Sequence, residues 1–97
     1  MAVNISISPK VREKLLKKHD VDESEVEECF LNRDGRLLAE NREAHKTTPP
    51  TQWFISETDV GRRLKIVFIE DILGAYQIKT AYEPCEDEEK IYEKYAK

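Results

Sequence analysis

Few side chains in this sequence can move a proton near neutral pH, and those that can sit close to arginines. His45 lies in a polar run with Arg42 and Lys46, just ahead of Thr47-Thr48-Pro49-Pro50. An imidazole titrates near neutrality, so His45 can serve as base or acid. Arg62 and Arg63 follow Gly61, and a guanidinium holds a phosphate through two parallel hydrogen bonds. Tyr82 can give up a proton or stack on a base, and Trp53 offers a flat aromatic face. Together these types suit acid–base work at a phosphate ester, with a cation for the developing charge. Each has a plainer reading as well. His45 is then a solvated loop histidine, and Arg42, Arg62 and Arg63 are loop and hairpin charges. Tyr82 is then an edge-of-core tyrosine, and Trp53 a core residue. His19 suits a helix end, where a cation complements the dipole, and Tyr92 and Tyr95 read as packing residues.

Other chemistries find no footing. There is no phosphate-binding loop, no GxSxG, no HExxH and no glycine-rich dinucleotide turn. Cys29 and Cys85 are far apart and lack CxxC spacing, so reduced thiols are expected and a zinc site is not. Glu86, Asp87, Glu88 and Glu89 form an acidic run, but on a helix they spread over several faces. No metal or cofactor is expected.

The elements that must position these residues centre on 47–82. Strand-like runs at 51–56, 63–69 and 75–81 follow one another, and Gly61 can supply the positive φ of a hairpin between the first two. Leu64, Ile66 and Phe68 alternate with Lys65, Val67 and Ile69, so both faces of the second run are largely apolar. That pattern predicts a central strand covered on both sides. Before it, Val3, Ile5 and Ile7 alternate as a short strand, and Ser8-Pro9 opens a helix to about His19. Asp22 with Glu25 forms a capping box, and Val21 with Val26 a staple, for a second helix ending near Asn32-Arg33-Asp34-Gly35. Residues 36–39 are a weaker strand candidate, and 40–50 a polar connection closed by Pro49-Pro50. Pro84 opens a last helix whose apolar stripe is Ile91, Tyr92 and Tyr95.

Ninety-seven residues make one domain, here 1–97. The order predicts an α+β fold: two N-terminal helices and a C-terminal helix packed on an antiparallel sheet of four to five strands. Charged residues are 37% of the chain and the net charge is −4. Residues 1–18 are basic, 19–32 strongly acidic, 33–65 mildly basic and 83–97 acidic again. This reads either as ordinary solvated charge or as a local patch for a polyanion or an acidic partner. An acidic total counts against strong non-specific nucleic-acid binding. No run is long enough to span a bilayer and no signal opens the chain, so a cytoplasmic location is expected.

The order of elements resembles the RelE/ParE toxin superfamily, and more closely its BrnT-like branch. Lys18-His19-Asp20-Val21 with Glu25 and Phe30 is similar to the branch's Lys-His-Gly-Val opening and following helix. Trp53-Phe54-Ile55 and Gly61 to Phe68 resemble its central hairpin. Ile78-Lys79-Thr80-Ala81, then Glu89 and Tyr92, resemble its Ile-Ile-Ser-Ala strand and final helix. The resemblance implies a RelE-like fold and the toxin of a type II toxin-antitoxin system. It implies metal-independent cleavage of RNA by a bacterial endoribonuclease, with a cognate antitoxin protein as partner and a homodimer as a further state. On that reading Arg62, Tyr82 and His45 are catalytic, and Arg42, Arg63, Lys79 and Trp53 hold substrate. Two departures stand out. Tyr82 and Glu83 occupy the positions of two arginines that usually follow the last strand, and the final helix is acidic where the family's is basic. The alternative is a protein-binding or regulatory module with the same fold and no catalysis. On the sheet, Arg62 and Tyr82 are expected at the Gly61 end and the His45 loop at the other.

Overall fold

The computed structural model describes residues 4–39 and 51–96. Its elements in order are β1 (Ile5–Ser6), α1 (Pro9–Lys14), α2 (Glu23–Asn32), β2 (Leu38–Ala39), β3 (Gln52–Glu57), β4 (Arg63–Glu70), β5 (Tyr76–Tyr82) and α3 (Glu86–Ala96). Between α1 and α2 the first helix runs on into a wider, π-type turn over Leu15–His19.

The sheet order is β1-β5-β4-β3-β2, which puts β4 at the centre. The β2–β3, β3–β4 and β4–β5 pairs are antiparallel, with a bulge between Val67 and Phe68. One expectation is corrected: β1 pairs β5 in parallel, Ile5 with Tyr76 and Ser6 with Gln77. A strand that reaches the sheet before two helices have been traversed is free to enter in either direction, and alternation alone does not encode which. Among the described residues the fold is therefore α+β, with three helices and a five-stranded, mostly antiparallel sheet.

The two faces of β4 differ, and the difference positions everything below. Leu64, Ile66 and Phe68 are fully buried, in register with Ser56, Phe54 and Gln52 of β3. This face takes the N-terminal helices. Phe30 of α2 lies edge-on to Phe54 and Phe68, with ring centroids 4.8 and 5.4 Å away, and stacks on Tyr76 at 5.0 Å. Arg63, Lys65 and Val67 point the other way, in register with Glu57, Ile55 and Trp53. That face takes α3, whose buried Tyr92 lies 5.8 Å from Trp53.

The local signals act as chemistry requires. Ser8 Oγ accepts from the Val11 amide, ahead of Pro9. Asp22 and Glu25 form a complete capping box, and Val21 and Val26 are fully buried around it. The Ser24 hydroxyl and the Glu25 amide both donate to Asp22, which holds its carboxyl below the ordinary value. Gly61 takes φ 87° in the β3–β4 turn, where its amide donates to Thr58 O. Gly35 owes its identity to contact instead. A Cβ there would strike the Tyr92 hydroxyl and stand 2.9 Å from Cζ of the same ring. Both cysteines are free, and burial pushes the Cys29 thiol up to about 12, so it is an inert core residue.

Candidate functional site

His45 and Arg42 lie outside the described residues. The other candidates lie on β3, β4 and β5, and the structure separates them by face.

Arg62 stands at the entry to β4, beyond the Gly61 turn, and reaches toward the N-terminal helices. Its Nη2 donates to His19 O at 3.0 Å and its Nη1 to Asp20 O at 2.7 Å, the two carbonyls that end the first helix. Nη1 also donates to Glu25 Oε2 at 3.0 Å, and Nε to Glu83 Oε2 at 3.0 Å. Helix ends leave carbonyls without intrahelical donors, and a cation there also meets the negative pole of the dipole. Arg62 supplies both. The chain turns at Asp20 with φ 53°, ψ 44°, a left-handed conformation that aspartate tolerates better than most residues.

Arg63 faces the other way, onto α3. It grips Glu89 through Nε at 2.8 Å and Nη2 at 2.7 Å, a bidentate pair, and reaches Glu57 through Nη1 at 3.1 Å. The hydrogen bonds to Glu89 hold its pKa above the ordinary arginine value against the opposing effect of burial. Two residues on, Lys65 is 5% exposed. Its Nζ lies 2.7 Å from Glu88 Oε2 and 4.5 Å from the centre of the Trp53 ring. Tyr82 donates its hydroxyl to the same Glu88 oxygen at 2.8 Å. Burial first, and then the bond to Glu88, push the Tyr82 phenol above its ordinary value, so it is a weaker acid than a free tyrosine.

Arg62 and Tyr82 do share the Gly61 end of the sheet, as the strand directions require: Tyr82 is in register with Lys65, and Glu83 bonds Arg62. Their functional atoms nevertheless bond different helices, although the His19 ring lies 5.7 Å from the Tyr82 ring. The Arg62 guanidinium is spent on the N-terminal helices, and the Tyr82 hydroxyl on α3. Trp53 is 7% exposed, so its ring belongs to the core. Lys79 is exposed on β5, next to the bulge.

Sequence reasoning missed the partners: Glu25, Glu83, Glu88 and Glu89. A signal for two of them was available. Arg63 and Lys65, two apart on a strand, present two cations to one face, and adjacent glutamates on a covering helix can meet them.

Glu88 is pulled in two directions. Burial raises its pKa, but Lys65, the Cys85 amide and the Tyr82 hydroxyl together bring it down to about 2, from an ordinary 4.5. A carboxyl depressed by folding adds stability that is complete above the unfolded pKa and is lost as pH falls through the folded one. The Glu88 contribution should therefore fade between pH 4.5 and about 2. Urea titrations across that range should show a shallower acid loss for Glu88→Gln than for the wild type. Parallel curves would remove Glu88 from the account.

No protein-family model matches the chain, and no curated protein matches it. Among the described residues no helix is long and apolar enough to cross a membrane.

Proposed function

We propose that this chain is a protein-binding module that does not itself cleave RNA. One observation carries the reading: Arg62, Arg63 and Lys65 are each neutralised by carboxylates of the same chain. A phosphate-binding guanidinium must be free to offer its paired donors to the ligand. To recruit Arg62 here, an incoming phosphate would displace Glu25 and Glu83 and uncap the first helix. To recruit Arg63 it would displace Glu89 and Glu57. The acidic final helix supplies two of these carboxylates, which gives a physical sense to its departure from the basic helix of the BrnT-like branch.

The toxin reading, a type II endoribonuclease held by an antitoxin, keeps one observation in its favour. Arg62 and Tyr82 meet at the same end of the sheet, joined through Glu83. The two readings part on one experiment. Purified protein incubated with single-stranded RNA at neutral pH, without added metal, is expected to leave the RNA intact.

A further inference from the structure

The β2 strand pairs β3 at Trp53 and Gln52, and among the described residues the remainder of that edge, toward Glu57, has no strand beside it. A cleft of about 350 Å³ lies there, lined by Asn32, Asp34, Ser56, Glu57, Asp59 and Arg63 among others. Asn32 Nδ2 fixes its rim, donating to Glu57 O at 3.0 Å and to Asp59 Oδ1 at 2.9 Å. From α2, Glu28 Oε1 accepts the Asp59 amide at 2.9 Å, which brings a further carboxylate alongside.

The cleft is rich in negative charge. Arg63 lies in its wall, but Glu89 and Glu57 already share that charge. Arg33 turns back onto Gly35 O. Glu28 and Asp59 make their hydrogen bonds to an amide and to a carboxamide, and among the described residues neither is matched by a cation. A second observation is independent of the carboxylates. Ser56 is 5% exposed, lines the cleft, and its hydroxyl forms no hydrogen bond with the described residues. That hydroxyl retains an acceptor for a donor arriving through the cleft. Among the described residues no three carboxylate, thiol or imidazole groups converge as metal ligands would. Dispersed acceptors around a cleft of this size suit a spread cation with several donors, which is a guanidinium.

We infer that this cleft receives an arginine side chain from a basic segment of a protein partner. The inference rests on reading the chain as a protein-binding module, and it names the chemistry of what binds. Charge complementarity would steer such a segment to the acidic rim and fix its position there.

The test uses the whole chain and the short peptide acetyl-Gly-Gly-Arg-Gly-Gly-amide, followed by amide NMR. Saturable shifts are expected at Asn32, Glu57, Thr58 and Asp59, with a Kd on the order of 1 mM for one anchored side chain. The same peptide with neutral citrulline in place of arginine should produce none of them. Asp59→Asn should weaken binding at least about fivefold, whereas Glu86→Gln, which removes one charge from the exposed start of α3, should leave it within about twofold. Equal effects of the two variants would reduce the result to net charge and overturn the site. Shifts by both peptides, or by neither, would overturn it as well; the wild-type comparison stands even if Asp59→Asn unfolds. If the peptide fails while RNA stays intact, the cleft assignment falls and the binding-module reading survives. Cleaved RNA would instead bring down that reading itself.

Discussion

Replacing Arg62 by methionine is expected to lower the stability of the fold by about 3 kcal/mol. The guanidinium serves two helix-end carbonyls, His19 O and Asp20 O, and two carboxylates, Glu25 and Glu83. Its side chain is 24% exposed and that of Glu25 22%, so the carboxylate left behind would be poorly solvated. Methionine keeps the apolar stem and removes every donor. In a domain of this size the loss corresponds to a fall in Tm of about 12–24 °C. Thermal and urea unfolding measure it. An arginine poised for phosphate behaves in the opposite sense, because removing an unpaired cation relieves repulsion and costs little. A variant within about 0.5 kcal/mol of the wild type would show that the clasp is not structural.

Phe68→Ala should cost about 3–5 kcal/mol, the range for emptying a buried aromatic site. Phe68 is fully buried on the central strand. It meets Phe54, Phe30 and Tyr76 at centroid distances of 6.0, 5.4 and 5.2 Å, so one truncation opens a void between β3, β5 and α2 together. Chemical denaturation with unchanged slope and a lower midpoint is the expected result. A loss below about 1 kcal/mol would mean that the site collapses freely, contrary to the ring geometry.

These two residues also mark what was legible in the sequence. Phe68 could be placed from pattern alone. Period-two alternation across 63–69, with apolar residues on both faces, identifies a strand buried on both sides, and β4 is the middle strand. The capping box at Asp22 and Glu25 and the Gly61 turn were equally readable, because the residues that make them are neighbours in the chain. Arg62 was not. Its partners lie 37 and 21 positions away, and no periodicity links position 62 to positions 25 and 83. The same holds for Glu88 and Glu89, whose phase against Arg63 and Lys65 is set by how α3 docks. The parallel entry of β1 was hidden for a related reason, since two strand residues carry a face but no direction. Site residues defined by chemical type were thus found, while their commitments, which decide their role, depend on contacts between distant parts of the chain.

RNA cleavage by the purified protein tests the central claim most directly, that the arginines and lysine of β4 serve the fold and not a substrate. Single-stranded RNA should survive incubation with the wild type, and Arg62→Met, assayed at a temperature where it remains folded, should look the same. Cleavage by the wild type that falls about 10²–10³-fold in Arg62→Met, as removal of a transition-state cation requires, would contradict the account.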